Sequence, residues 1–459
     1  VRIYSWDGSS WSQLGSDING EVTGDQSGWC VSLDSDGDRV AIGAYTNDGN
    51  GSNAGHVRVY EYSGGSWSQL GNDIDGEAAN DYSGWSVSLD SDGDRVAIGA
   101  YTNDGNGPDA GHVRIYSWDG SSWSQLGSDI NGEAAYDYSG YSVSLDSDGD
   151  RVAIGATRND GTGSNAGHTR IYSWDGSSWS QLGSDIDGEA AGDQSGYSVS
   201  LDSDGDRVAI GATQNAGNGT QAGHTRIYSW DGSSWSQLGS DIDGEAANDY
   251  SGTSVSLDSD GDRVAIGANW NGGNGSRAGH VRIYSWDGSS WNQLGSDIDG
   301  EAAIDYSGTS VSLDSNGDRV AIGAQDNDGS FSNAGHVRVY NAFSVKISGT
   351  AGFRMLSAPV SNGTYTDLLS ELWTQGMTGS DAAEASGDNV WTWTVGSGGA
   401  GSWSVATNLG ATMTAGAGLL VFAFADNNND GTDDLPVTLS VSGTENSGDV
   451  RYPALGTIE

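Results

Sequence analysis

The sequence is short of cysteine, proline and basic residues. Its 459 residues include one cysteine, four prolines and 18 basic residues against 63 acidic ones, which gives a net charge of −45 at pH 7. A single cysteine, Cys30, excludes an intrachain disulfide, and serine replaces it in the other repeats, so we interpret it as a small packed residue. The acidic charge argues against nucleic acid and anionic membranes as partners, because both attract basic surfaces.

Long hydrophobic runs are also missing. The longest apolar run, at residues 415–425, is shorter than the roughly 20 residues that a membrane-spanning helix needs. We therefore expect no insertion into a membrane.

The sequence is instead rich in glycine, tryptophan and internal repeats. The segment VRIY, or a close variant, begins at positions 1, 57, 113, 169, 225, 281 and 337, so the repeat length is constant. Apolar and polar residues alternate in the repeated segments SVSL, RVAIGA, HVRIYSW and SWSQLG, which predicts four short strands per repeat. Four antiparallel strands in a repeat of this length are typical of a β-propeller blade.

In one repeat we predict strands at 84–89, 94–100, 112–118 and 122–127, with DSDGD and WDGSSW as hairpin turns. The chain holds six copies of the first two strands and seven of the third. Pairing of residues 1–16 with the last blade would give six blades, whereas a further strand pair would give seven. The predicted fold is therefore all-β: a propeller of six or seven four-stranded blades at 1–343, followed by a β-rich C-terminal domain at 344–459.

The motifs DYSGWSVSLDSDGDRVAIGA and AGHVRVYEY resemble the FG-GAP repeat of integrin α-subunit propellers and of exported bacterial proteins. The Phe-Gly of the family is Ser83-Gly84 here, and Tyr101 replaces the proline of its Gly-Ala-Pro, which is closer to the bacterial variant. The tail segment GFRMLSAPVSNGTYTDLL resembles a β-rich module near the C-termini of exported proteins of marine and saline bacteria. The resemblance implies a secreted or cell-surface protein with a non-catalytic binding or adhesion role.

The repeated DSDGD segment has two interpretations. Asp34, Asp36 and Asp38 follow the alternate spacing of the first calcium ligands, but glycine is at position 4 of the loop rather than 6. Asp-Gly also suits a hairpin tip, because both residues tolerate the positive φ of a tight turn. We favour the hairpin and keep calcium as the alternative, here and at the equivalent Asp90, Asp92 and Asp94.

A second acidic segment, ADNNNDGTDDLP, lies in the tail. Its residues match the first nine positions of a calcium loop, with Gly431 at position 6 and no glutamate at position 12. The candidate ligands are Asp426, Asn428, Asp430, Thr432 and Asp434. Calcium is therefore the candidate cofactor.

The six histidines all occupy one repeat position, directly before the third strand. They are His56, His112, His168, His224, His280 and His336. We expect structural roles for them, because the sequence reveals no accompanying ligand or catalytic partner in any copy. We expect no enzymatic activity, since near-identical repeats do not supply the distinct residues that converge in an active site.

Two segments vary between copies: the loop between strands 2 and 3, and the connection from strand 4 to the next strand 1. Both emerge on the same face of an up-and-down blade, so this variable face is typical of a recognition surface. The alternative is that its large aromatic side chains fill the gaps between blades. The candidate ligand-binding residues are Trp29, Trp85, Tyr141, Tyr197, Tyr45, Tyr101, Arg158 and Trp270.

These observations predict an exported or cell-surface protein that binds an extracellular protein or glycan through the variable face, with calcium as a candidate aid. Two alternatives remain open. One is a carbohydrate-binding or enzyme-associated propeller, and the other is a structural spacer of a larger exported protein.

Overall fold

The structure is a computed structural model, and its description covers residues 1–341 except 8–9 and 330, together with the strands after residue 342 given below. The chain divides into two compact units, one of Val1–Ser5 with Ser12–Val339 and the other of Trp6–Trp11 with Tyr340–Glu459. The first unit is a propeller of six blades, and the described residues contain strands and turns but no helix. The prediction of an all-β propeller is confirmed.

The second blade illustrates the four main strands, which pair antiparallel in chain order. They are Ser86–Leu89, Arg95–Ala100, His112–Trp118 and Trp123–Gln125. Each lies within a residue or two of its predicted bounds, because the period-2 alternation of side chains marks a strand with one buried face.

The other blades repeat this order. The first strands are Val31–Leu33, Ser139–Leu145, Ser195–Leu201, Ser254–Leu257 and Ser307–Leu313. The second strands are Arg39–Ala44, Arg151–Ala156, Arg207–Ala212, Arg263–Ala268 and Arg319–Ala324. The third strands are His56–Ser63, His168–Trp174, His224–Trp230, His280–Trp286 and His336–Asn341. The fourth strands are Ser66–Gln69, Trp179–Gln181, Trp235–Gln237 and Trp291–Gln293.

A fifth, two-residue strand follows the fourth in the first five blades. It is too short for the alternation of residues to predict it. These strands are Ile74–Asp75, Ile130–Asn131, Ile186–Asp187, Ile242–Asp243 and Ile298–Asp299. In the second blade, Asn131 pairs with His112 and Ile130 with Val113, at the beginning of the third strand. The connection to the next blade therefore folds back onto the beginning of the third strand, where the histidine lies.

The hydrophobic core lies between successive blades. Val113 and Ile115 of the second blade pack with Val143, Val152 and Ile154 of the third, and all five are buried. Equivalent clusters recur between blades one and two, three and four, and four and five, so these blades are stabilised by burying one face of each sheet against the next.

Directional contacts fix the spacing of the blades. The indole Nε1 of Trp123 donates to the carbonyl oxygen of Leu70 in the preceding blade at 2.8 Å. The backbone N–H of Ser91 donates to the carbonyl oxygen of Ser147 at 3.0 Å, near the axis. A funnel at the axis is lined by the Leu-Asp-Ser segment of all six blades.

The N-terminal residues form a two-stranded sheet of their own, Tyr4–Trp6 with Trp11–Gln13. Ile3 and Ile18 pack against Val40 and Ile42 of the first blade, as a third strand packs elsewhere. In the described residues this sheet has no strand partner in the sixth blade, whose described part has three strands. The two end blades also expose apolar residues that are buried elsewhere, namely Val31, Leu33, Val337 and Val339.

The second unit contains further antiparallel strands, in keeping with a β-rich C-terminal domain. Its described strands are Phe343–Ile347, Gly352–Ser357, Val360–Ser361, Val390–Val395, Gly401–Val405, Gly418–Ala423, Val437–Val441 and Thr444–Glu445. Four of these strands form one sheet, and the other four form two pairs. No helix among the described residues has the length and apolar character needed to cross a membrane.

Candidate functional site

Large aromatic side chains from four successive blades contact one another on the variable face. The residue just before Ser86 or its equivalent is Trp29, Trp85, Tyr141 or Tyr197 in blades one to four. The loops between strands 2 and 3 contribute Tyr45 and Tyr101, and the connections between blades contribute Tyr82 and Tyr138. We call these eight residues the aromatic surface.

The rings of the aromatic surface form one continuous set of contacts. Trp85 is its centre, with ring centroids 4.8 Å from Trp29 of the preceding blade and 5.5 Å from Tyr141 of the following one. Tyr141 continues the set to Tyr197 at 5.1 Å. Tyr101 lies 4.7 Å from Trp85 and 5.3 Å from Tyr138. The structure therefore brings together six of the eight predicted ligand-binding residues.

Both interpretations of these aromatic residues describe part of the structure. The rings pack across blade boundaries, and burial raises the pKa of Tyr101 to about 12 and that of Tyr141 still further. Yet Trp29 remains 50% exposed, and the other seven residues of the aromatic surface are half-buried. The surface is a supported cluster that also presents ring area to solvent.

The fifth and sixth blades carry polar residues at the equivalent positions. The Oγ1 of Thr253 lies 3.0 Å from the Oδ1 of Asn269, whose Nδ2 donates to the Oγ1 of Thr309 at 3.4 Å. The variable face is therefore asymmetric at the repeat position of Trp85, which is aromatic in blades one to four and threonine in blades five and six.

The other two predicted ligand-binding residues lie in cation–π contacts. The guanidinium of Arg158 lies 4.4 Å from the ring centroid of Tyr138, so Arg158 borders the aromatic surface. Trp270 belongs to a second cluster, 4.9 Å from Tyr250, with the guanidinium of Arg277 over its ring at 4.1 Å.

The DSDGD segments form the predicted hairpin turns. In the second blade, Asp90 is buried and its Oδ1 accepts hydrogen bonds from the backbone N–H groups of Asp94 and Arg95, both at 3.0 Å. Asp34 accepts in the same way from Arg39, at 3.1 Å. The first aspartate of both DSDGD segments therefore accepts hydrogen bonds within the turn. The second aspartate, Asp36 or Asp92, is exposed. Calcium at these hairpins stays a prediction, and the candidate loop at Asp426, Asn428, Asp430, Thr432 and Asp434 lies outside the described residues.

The expectation that the histidines have no accompanying ligand is wrong. Five of them lie in clusters with one glutamate and one aspartate, whose ligand atoms are within 4.8 Å of one another. The histidines are those from His56 to His280, and each cluster could hold a metal ion. The signal in the sequence is a constant spacing, because the glutamate precedes the histidine and the aspartate follows it by the same interval in every cluster, as in Glu133, His168 and Asp185.

The sequence and the structure both match known propellers. The FG-GAP repeat family matches residues 19–60 and 74–116, each of which runs from one blade connection through the third strand. The propeller is an FG-GAP β-propeller. No curated protein matches the sequence.

Solved structures share the fold of this FG-GAP propeller at low sequence identity. A protein from Bacteroides uniformis, provisionally assigned as a 6-phosphogluconolactonase, is 11% identical with a TM-score of 0.52, covering 74% of this chain and 88% of its own. The periplasmic gluconolactonase of Pseudomonas aeruginosa is 13% identical with a TM-score of 0.51 and the same coverage. At these identities the likeness shows the fold alone.

Proposed function

We propose that this protein is an exported or cell-surface binding protein whose FG-GAP propeller recognises an extracellular protein or glycan through the aromatic surface. The observation that carries the proposal is the continuous set of rings from four blades, with Trp29 half exposed at its edge. Clustered, partly exposed aromatic residues on a rigid scaffold favour recognition, because they provide large contact area at low cost in conformational entropy.

The polar residues of the fifth and sixth blades suit the same role. A glycan presents apolar C–H faces and hydroxyl groups, and an extracellular protein presents both kinds of group too. The rings can pack against apolar faces, while Thr253, Asn269 and Thr309 offer hydroxyl and amide groups for hydrogen bonds. The acidic charge of the chain favours partners other than nucleic acid.

We assign the propeller a binding rather than a catalytic role, because its titratable groups with displaced pKa recur blade by blade. Burial lowers the pKa of His112, His168 and His224 to about 4, at one repeated position. Such repetition is typical of structural groups, whereas an active site gathers different residues once. Calcium at the exposed carboxylates of the hairpins on the opposite face belongs to this proposal as an aid to blade rigidity.

The test replaces the aromatic residues with the residue that the chain itself uses at the same position. Trp29, Trp85, Tyr141 and Tyr197 are all changed to threonine, as at Thr253 and Thr309, so the backbone position tolerates the change. The full chain and this variant are compared on a glycan array and on extracellular-protein and cell panels. We expect the wild-type signals to fall at least tenfold in the variant.

The matched control changes the fourth strands instead. The variant Ser68→Asn, Ser124→Asn, Ser180→Asn and Ser236→Asn alters four exposed residues to the residue that the chain uses at the equivalent Asn292, and should retain binding. An unchanged binding profile for the threonine variant would exclude the aromatic surface as the binding site. Turnover of gluconolactone by the wild-type chain, lost in the threonine variant, would favour a catalytic propeller instead.

A further inference from the structure

The histidine clusters join parts of the chain that belong to different blade connections. In the third blade, the Nδ1 of His168 lies 3.9 Å from Glu133 Oε2 and 3.8 Å from Asp185 Oδ2. Glu133 comes from the connection that enters the blade, His168 begins its third strand, and Asp185 belongs to the connection that leaves it. Equivalent clusters, with all ligand atoms within 4.8 Å of one another, are Glu21 with His56 and Asp73, Glu77 with His112 and Asp129, Glu189 with His224 and Asp241, and Glu245 with His280 and Asp297.

The imidazole is buried without a hydrogen-bond partner for the nitrogen that faces these carboxylates. His168 is 1% exposed, and its Nδ1 has no hydrogen bond, as is also true of His112, His224 and His280, whereas in His56 the nitrogen without a partner is Nε2. The separation of 3.8 Å between His168 Nδ1 and Asp185 Oδ2 is too long for a hydrogen bond, so the nitrogen is satisfied neither as a donor nor as an acceptor. A buried polar atom in this state needs an explanation, and a bound ion is one of the recognised causes.

A cation would satisfy all three groups together. His168 Nδ1 is buried without a hydrogen-bond partner, so in the tautomer that carries its proton on Nε2 this nitrogen offers a lone pair to the ion. Carboxylate oxygens of Glu133 and Asp185 lie near this nitrogen from two different connections, at 3.9 and 3.8 Å. The guanidinium of Arg170 lies 3.7 Å from Glu133 Oε1, which leaves Oε2 directed toward the histidine.

The donor set selects the class of cation. Calcium and magnesium prefer oxygen ligands alone, whereas one imidazole with two carboxylates suits zinc and other divalent transition metals. A tetrahedral ion about 2.1 Å from its ligands holds them about 3.4 Å apart. The two separations from His168 Nδ1, 3.8 and 3.9 Å, therefore need to close by a few tenths of an ångström, and all ligand atoms of a cluster lie within 4.8 Å of one another.

We propose that each of the five Glu–His–Asp clusters binds one divalent transition-metal ion, with Zn²⁺ as the representative, and that these ions tie successive blade connections together. The sixth histidine supplies an internal contrast. His336 lies 3.7 Å from Glu301, but the repeats end after its strand, and the residue at the interval where the five clusters have an aspartate is Phe353 of the C-terminal domain. The proposal therefore assigns five complete sites to the six repeats.

The experiment counts bound zinc in the full chain. After treatment with a chelator, the protein is dialysed against dilute ZnCl₂ and its metal content is measured, while thermal unfolding is followed in parallel. We expect about five ions per chain and a higher unfolding midpoint with zinc, because a ligand that binds only the folded state stabilises it. The single variant Asp185→Asn should bind one ion fewer.

The matched pair of variants separates a built site from general attraction to an acidic protein. One variant changes Asp73, Asp129, Asp185, Asp241 and Asp297 to asparagine, and should lose the bound ions and the thermal shift. The control changes the exposed Asp36, Asp92, Asp148, Asp204 and Asp260 to asparagine, which removes the same charge, and should keep both. Equal zinc binding by the two variants would overturn the proposal, as would displacement of zinc by an equal concentration of Ca²⁺.

Discussion

The α-carbon of Gly99 lies so close to the carbonyl oxygen of Gly140 in the next blade that no β-carbon fits between them. Gly99 is the glycine of the repeated segment RVAIGA, and Gly140 is the second residue of the first strand of the third blade, with φ +84°. The same contact joins the equivalent glycines at every interface from the first blade to the sixth. These glycines therefore set the distance between neighbouring blades near the axis.

The variant Gly99→Ala should destabilise the propeller by about 3 kcal/mol, because the new methyl group must push two backbones apart. Urea unfolding followed by tryptophan fluorescence measures the change. Gly272→Ala is the control, since the nearest atom to its added β-carbon is 4.0 Å away and the residue is exposed. We expect a change within about 0.5 kcal/mol for the control, and similar effects of the two substitutions would contradict this account of the interface.

Local pattern explains why the blades could be predicted from the sequence. The strands depend on the alternation of apolar and polar residues, which is a local pattern. The hairpins depend on turn residues within a few positions of one another, such as Asp90, which accepts hydrogen bonds from the N–H groups of Asp94 and Arg95. The position of the aromatic surface also followed from the repeat, because copies that differ at one position place different side chains on one face. Which rings make contact depends on side-chain orientation across blade boundaries, which the pattern does not contain.

The Glu–His–Asp clusters were missed because they depend on contacts between distant residues. Asp129 approaches His112 because the two-residue strand at Ile130–Asn131 folds back onto the third strand, and no alternation can mark so short a strand. Glu77 arrives from the preceding connection, with two strands of the blade between it and the histidine. Spacing alone gave no reason to expect that the three side chains converge.

The thiol of Cys30 should react slowly in the native protein. Its Sγ donates to the carbonyl oxygen of Gly84 at 3.1 Å, as Ser86 Oγ donates to Gly140 at 2.9 Å in the next repeat. Burial raises the pKa of Cys30 to about 12, so little thiolate is present at pH 8. Because Cys30 is only half-buried by its accessible surface, we expect labelling by a thiol reagent to be slower in the native chain than after unfolding, and Cys30→Ser should change stability by less than about 1 kcal/mol. Rapid stoichiometric labelling of the native chain would contradict this.

The hairpin aspartates link stability to pH. Burial raises the pKa of Asp202 to about 7 in the folded chain, against 3.8 for an ordinary aspartate. Between these values the folded state binds more protons than the unfolded state, so the contribution of Asp202 to stability falls as pH rises. It is fully present below about pH 4 and is lost as pH increases through 7. Asp90, Asp146 and Asp258 behave alike, with pKa values raised to about 6.

The variant Asp202→Asn should therefore gain stability relative to wild type as pH increases. The amide oxygen can still accept from the N–H groups of Asp206 and Arg207, as Asp202 Oδ1 does at 3.0 Å, but the side chain no longer ionises. We expect the difference in thermal midpoint between variant and wild type to be more positive at pH 8 than at pH 4.5. Asp204→Asn, at the exposed tip of the same hairpin, should give a difference that is nearly independent of pH. Parallel profiles for the two variants would mean that Asp202 is ionised in the folded chain at both pH values, against the burial that the structure gives it.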